Sequence, residues 1–363
     1  MIKYRDEMKN VNAYIPGKPI ETVQRELNID KVIKMASNEN PFGTSEKVKK
    51  VLKEYIDNGI ALYPDGSAFY LKEKLSKKFG VGHENLLITN GGDDALALIA
   101  HSYLSRDEEV ILSEYSFVRY NDNSNIQGGK IVEIPMKDFR IDLEGILNAI
   151  NEKTKLIWFC NPNNPTGTLI EEKEVINFIE RVPEDIIIVY DEAYGEFVEN
   201  EKGVKNAFEF FKKYPNVITV KTFSKIYGLA GVRVGYILAN EDIIEIINRA
   251  RLPFNVNVLG LLAAETALDD EEFVNFVYEE NIKGKHFLYN LFDELELPYV
   301  ISETNHIFFQ TPKMKSKDLF SELQKRGVII RPQKGNYSRI SIGTMEENEI
   351  FAKNLKEVLN DQK

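Results

Sequence analysis

Residues 217–239 read VITVKTFSKIYGLAGVRVGYILA. Two short apolar runs, 217–221 and 234–239, flank a stretch that sets Thr222, Ser224, Lys225 and Arg233 among Gly228, Gly231 and Gly235. Runs of that length are strand-sized, and glycines between them mark turns. Upstream, apolar runs at 86–89, 109–112, 156–160 and 186–190 alternate with amphipathic helical stretches. The alternation predicts an α/β fold, a mostly parallel sheet with helices on both faces. Ligands of such sheets sit beyond the carboxyl ends of the strands, so the residues after each run carry the functional information.

Lys225 stands at one of those ends. A lone lysine is ordinarily a solvated surface residue, but among small hydroxyl residues it is also a candidate Schiff-base amine or phosphate contact. After run 86–89 come Asn90, Gly91, Gly92, Asp93 and Asp94, and then a helical stretch. Small residues at a helix start offer free N–H groups and a favourable dipole to a phosphate; a plain N-cap by Asp93 is the alternative. After run 156–160 comes NPNNPTG, residues 161–167, which fixes side chains such as Asn164 at a strand end or serves only as a tight turn. After run 186–190 comes DEAY, residues 191–194. Asp191 there ends an apolar strand and needs a partner, either a protonated heterocyclic nitrogen or a structural arginine.

Composition narrows the function classes. With 363 residues the chain has length for two or three domains, and 43% hydrophobic and 28% charged residues are ordinary globular usage. A net charge of −11 repels nucleic acid over the surface as a whole, so anionic substrates need specific arginines. The start, MIKYRDEMKN, is charged and lacks an apolar core, and the apolar runs are too short to span a membrane; a cytoplasmic protein is expected. The single Cys160 agrees with a reducing compartment or is a small core residue. His83, His101, His286 and His306 lie far apart without metal-ligand spacing, so no metal is expected. No GxGxxG opens a helix after the early strands, which disfavours a nicotinamide-dependent dehydrogenase.

Beyond Glu265 the pattern changes to a long helical stretch, strand-like 307–310, a helix near Leu319, short runs at 328–331 and 339–342, and a last helix. We read an N-terminal arm over 1–40, packed on the small domain or on a partner subunit, a large ligand-binding domain over 41–264 and a smaller α+β domain over 265–363.

Taken together and in order, the four strand-end stretches resemble those of the fold type I pyridoxal-phosphate aminotransferases. Within them the chain is most similar to the histidinol-phosphate aminotransferase family, through NAYIPGKPI at 12–20, ASNENPFG at 36–43, LYPDG at 62–66 and RISIGT at 339–344. The resemblance implies pyridoxal 5'-phosphate as cofactor, Lys225 as the lysine that carries it and then acts as base, and Asp191 as partner of the pyridine nitrogen. A model lysine has a pKa of ~10.4, so desolvation and Arg233 are expected to lower that of Lys225. It further implies that Tyr194 and Asn164 bind the ring's phenolic oxygen and that Phe117 stacks on the ring. The phosphate falls to Gly91, Gly92, Asp93, Thr222, Ser224 and Arg233, with Tyr63 supplied across a homodimer interface. Arg339 is implied as the substrate arginine, able to hold glutamate's carboxylate or another substrate's phosphate, with Arg331, Tyr14, Asn38 and Asn164 as companions.

The expected reaction is transamination between L-histidinol phosphate and 2-oxoglutarate, giving imidazole acetol phosphate and L-glutamate. An aromatic amino acid aminotransferase and a phosphoamino-acid decarboxylase on the same scaffold are the rivals, and a cofactor-binding regulator is disfavoured by the short arm and acidic charge. Four places depart from the family pattern: the short 331–339 loop, Asp94 where glutamate is common, Tyr115 where proline is frequent, and His306 where an aromatic is usual. All are expected to bear on the distal substrate group rather than on cofactor chemistry.

Overall fold

The structure, a computed structural model, describes residues 2–11, 13, 19–204 and 207–361. Its strands in chain order are β1 (Ile33–Lys34), β2 (Leu86–Thr89), β3 (Glu109–Ser113), β4 (Lys130–Ile134), β5 (Thr154–Cys160), β6 (Ile187–Asp191), β7 (Val217–Thr222), β8 (Gly235–Leu238), β9 (His306–Gln310), β10 (Val328–Ile329), β11 (Arg331–Pro332) and β12 (Tyr337–Ser341). Seven of them form one sheet in the order β2-β8-β7-β6-β5-β3-β4. Only β8 runs antiparallel to its neighbours β2 and β7; the other pairings are parallel.

Side chains of the central strands are buried on both faces with period two. On β5, Leu156, Trp158 and Cys160 face one core while Ile157 and Phe159 face another. The first core is closed by helices Gly92–Tyr103 and Glu241–Ala250, through Leu96, Ile99, Ile243 and Ile247. Helix Glu172–Ile179 closes the second through Val175, Phe178 and Ile179. Burying a side chain of this size stabilises by about 1.5–3 kcal/mol, so the faces rather than local propensity hold the layers. The sequence reading has no strand at Lys130–Ile134. This is an edge strand with β3 as its neighbour, and its Lys130 and Glu133 are exposed, so an apolar run is not required there.

A separate core gathers Leu288, Phe292, Ile307, Phe309, Leu319, Ile340 and Phe351 around the antiparallel sheet β11-β12-β9. Ile33 and Met35 join that core, and β1 pairs in parallel with β10. Residues nearer the N-terminus go elsewhere: Arg5 bonds the Ile126 carbonyl at 3.0 Å, and Glu7 pairs with Arg106. The segment following β1 then crosses from this core toward the main sheet. Asn40 Nδ2 donates to the Ile226 carbonyl at 2.9 Å, and Thr44 Oγ1 to the Gly228 carbonyl at 2.8 Å. It therefore borders the turn that carries Lys225.

Candidate active site

The carboxyl ends of β5, β6 and β7, the start of helix Gly92–Tyr103, residues 36–39 and the β11–β12 hairpin surround a cavity of about 440 Å³. Of the residues singled out from sequence, Asn38, Gly92, Asp93, Phe117, Asn164, Asp191, Tyr194, Thr222, Ser224, Lys225, Arg233, Arg331 and Arg339 line it.

One end is built to hold an anion. Gly91, at φ 84°, precedes the helix and leaves the first N–H groups of Gly92 and Asp93 unused by the helix itself. A Cβ on Gly91 would stand 2.4 Å from Arg233 Nη2, so the guanidinium lies directly against the turn. Arg233 Nη1 donates to Ser224 Oγ at 3.3 Å, and the Ser224 N–H donates to Thr222 Oγ1 at 3.1 Å. Asp93 is not a side-chain cap: Gly91 occupies that position, and Asp94 instead accepts from the Asn90 N–H at 2.8 Å.

At the centre, Asp191 is 5% exposed; it accepts from the Tyr120 hydroxyl at 2.7 Å and the Ala193 N–H at 3.0 Å. Burial pushes its carboxyl up to about 6, against the pull of those two donors. Its observed partners are therefore a hydroxyl and an amide. Lys225 Nζ donates to the Ser37 carbonyl at 3.3 Å, and its pKa is lowered to about 8, first by burial and then by Arg339. Arg233, expected as the depressing cation, contributes less than Arg339, because its guanidinium is turned to the anion end.

At the other end, Arg339 on β12 is held by Asn164 Oδ1 and the Ala36 carbonyl, both at 2.6 Å, which fixes the plane of its fork. Arg331 stands beside it, paired in register on β11. Asn164 and Asn38 donate to the Tyr194 hydroxyl at 3.3 Å and 2.9 Å. Phe117 packs edge-on to Tyr120 at 5.8 Å.

One expected residue is not brought to the crevice, and another is not among the described residues. Tyr63 is 81% exposed and stacks on Phe254 at 4.6 Å, outside the cavity lining; Tyr14 lies outside the described residues. Others were missed. Tyr120 is three positions past Phe117 on the first turn of helix Val118–Gln127, and that helical spacing was the available signal. The Ala36 and Ser37 carbonyls are backbone groups and leave no trace in side-chain chemistry. His306, expected to act on the distal substrate group, instead packs against Tyr194 with ring centroids 5.0 Å apart. Tyr115 lies in a cluster with Phe139, Phe308 and Tyr337, outside the cavity lining.

A lysine poised near neutrality, a buried carboxylate and an anion cradle on one crevice suit a phosphorylated, protonatable heterocycle carried on an amine. A family model described as aminotransferase class I and II matches residues 30–355. A histidinol-phosphate aminotransferase of Caldicellulosiruptor saccharolyticus is 43% identical over 98% of this chain and 100% of the relative. A histidinol-phosphate aminotransferase 2 of Carboxydothermus hydrogenoformans is 44% identical over 98% and 99%. The crystal structure of histidinol-phosphate aminotransferase from Sinorhizobium meliloti in complex with pyridoxal-5'-phosphate superposes with a TM-score of 0.92 at 26% identity, covering 100% of this chain and 99% of that one. By family match, full-length relatives and a crevice of matching chemistry, this chain belongs to the class I and II aminotransferases.

Proposed function

We propose that the chain is a pyridoxal 5'-phosphate-dependent aminotransferase that exchanges an amino group between L-histidinol phosphate and 2-oxoglutarate, giving imidazole acetol phosphate and L-glutamate, a step of histidine biosynthesis. The observation that carries it is the convergence of Lys225, Asp191 and Arg339 on one cavity, in a chain alike over its full length to relatives of that name.

When bound, pyridoxal phosphate supplies an electron-accepting ring that makes the substrate's α-hydrogen acidic. The chain does the rest. Gly91, Gly92, Asp93, Thr222, Ser224 and Arg233 form the anion cradle that would hold the phosphate. Asp191 is ionised above about pH 6 and would keep a proton on the ring nitrogen; a cation placed beside it extends that range downward. Tyr194, with Asn164, faces the crevice where the ring's oxygen would lie, and Phe117 would cover the ring face. Lys225 Nζ moves the α-proton, and its lowered pKa raises the neutral share at physiological pH.

Arg339 would bind glutamate's carboxylate in one half-reaction and a phosphate in the other, with Arg331, Asn38 and Asn164 beside it. Tyr14 is kept as a companion on the resemblance alone. We further place Tyr63 at the anion cradle of a second copy in a homodimer. What supports this is its exposure within a surface that also presents Leu62, Phe69, Tyr70 and Leu252. The arm (1–40), large (41–264) and small (265–363) domains are proposed units of that assembly, and its proposed compartment is the cytoplasm.

The test mixes holoenzyme with glutamate, then with imidazole acetol phosphate, and follows the cofactor's absorbance. It should bleach and then return. Turnover of aromatic amino acids with none of histidinol phosphate would overturn the substrate assignment, and release of carbon dioxide would point to decarboxylation.

A further inference from the structure

His306, the first residue of β9, lies fully buried beneath the crevice. Its Nδ1 is 3.0 Å from Asn38 Nδ2 and 3.0 Å from Thr304 Oγ1. Burial and the nearby Arg339 and Lys225 hold the imidazole neutral, so one ring nitrogen accepts and the other carries the proton.

Asn38 fixes which. Ser341 Oγ accepts from the Asn38 N–H at 2.7 Å and donates to Asn38 Oδ1 at 2.9 Å, which turns the amide nitrogen toward His306 and Tyr194. One of its hydrogens goes to the Tyr194 hydroxyl oxygen at 2.9 Å and the other to His306 Nδ1. Nδ1 is thus the acceptor. The Tyr194 oxygen also accepts from Asn164 Nδ2 at 3.3 Å. A phenol has two lone pairs and one O–H. With both lone pairs engaged by amides, the O–H is left for the crevice.

We propose that His306 is a positioning residue of this site: by accepting from the Asn38 amide it joins Ser341 in holding that amide's orientation, and so keeps the Tyr194 hydroxyl a donor to an oxygen of the bound cofactor. A phenylalanine would fill the same space without an acceptor. The Asn38 amide, then held by Ser341 alone, whose hydroxyl can accept as well as donate, is able to turn Oδ1 to Tyr194, whose hydroxyl would turn inward to donate to it.

The inference rests on reading the crevice as a pyridoxal-phosphate site, and two variants separate the claims. Apoproteins are titrated with pyridoxal phosphate, and the spectrum of bound cofactor is followed against pH. His306→Phe should weaken binding roughly 3- to 10-fold, the worth of one hydrogen bond, and shift the pH at which the spectrum changes. His306→Asn, whose amide oxygen can stand where Nδ1 stands, should stay within about twofold of the parent. In an Asn38→Ala background His306→Phe should add no further loss, because the effect travels through that amide. Should His306→Phe not fold, His306→Leu serves the same comparison. Equal losses from the Phe and Asn variants, or an undiminished loss in the Asn38→Ala background, would overturn the role of His306. Wild-type apoprotein that takes up no pyridoxal phosphate would overturn the site reading as well.

Discussion

Lys225 and Asp191 sit in the same crevice with pKa values displaced in opposite directions, for one reason: burial disfavours whichever form is charged. The signs lead to a measurable asymmetry in the apoprotein. For Lys225 the folded value of about 8 lies below the ordinary value of 10.5. Burying its cation therefore destabilises the fold fully below about pH 8, and the penalty fades as pH rises toward the ordinary value. Lys225→Met apoprotein should accordingly melt higher than the parent at pH 7, and the gap should close between pH 8 and pH 10 in thermal scans. A gap independent of pH would mean that Lys225 is solvated. Asp191→Asn removes the charge that would hold a ring nitrogen protonated, and kcat should fall at least about 10²-fold. A loss of a few-fold would leave Asp191 a merely structural residue. Lys225 and Asp191 were legible because each stands just past an apolar run, and Arg339 only through the resemblance carried by RISIGT. Tyr120 was not, since an aromatic inside a helix looks like core, and His306 stood out only as a departure assigned to the distal substrate group, because its contacts with Asn38 and Tyr194 come from distant segments.

Turns between elements, rather than the elements themselves, bring these side chains together. Gly228 has φ 66°, and a Cβ there would come within 2.0 Å of the Gly43 carbonyl oxygen, a backbone atom that cannot swing away. Gly228→Ala should cost about 1–3 kcal/mol in unfolding by denaturant and shift the Lys225 turn. At Gly91 the atom in the way is the end of a side chain, Arg233 Nη2. Gly91→Ala is strained too, at φ 84° and ψ 172°, but it should in addition weaken phosphate-dependent cofactor binding by more than Gly228→Ala does. If Gly91→Ala leaves cofactor affinity unchanged, the cradle is misassigned. At this scale the sequence disclosed most strands, because buried parallel strands are nearly continuous apolar runs. The edge strand β4, half-exposed and charged at Lys130 and Glu133, escaped that signal.

For the whole molecule, the α/β class and the resemblance to histidinol-phosphate aminotransferases hold, with relatives and solved structures alike over nearly the full length. The proposed homodimer is a different matter, since Tyr63 stacks on Phe254 and lies outside the lining of its own chain's crevice. Sequence alone pointed to Tyr63 by similarity, and no pattern of apolar residues says which partner it serves. If it completes a second copy's cradle, Tyr63→Ala and Lys225→Ala variants, each poorly active, should regain activity when mixed and refolded together. Each hybrid dimer would then contain one site with both residues intact. No recovery from a mixture shown to contain hybrids would place Tyr63 outside catalysis.

Whether Lys225 is the amine that carries the cofactor is decided by chemical reduction. Holoenzyme treated with borohydride, digested and mapped by mass spectrometry should carry the phosphopyridoxyl group on the peptide containing Lys225. Lys221 is the nearest competitor in sequence, but it is engaged by Glu192 at 2.9 Å and Glu196 at 3.0 Å. Label on Lys221 or any other lysine, with Lys225 unmodified, would mean that a different amine carries the cofactor.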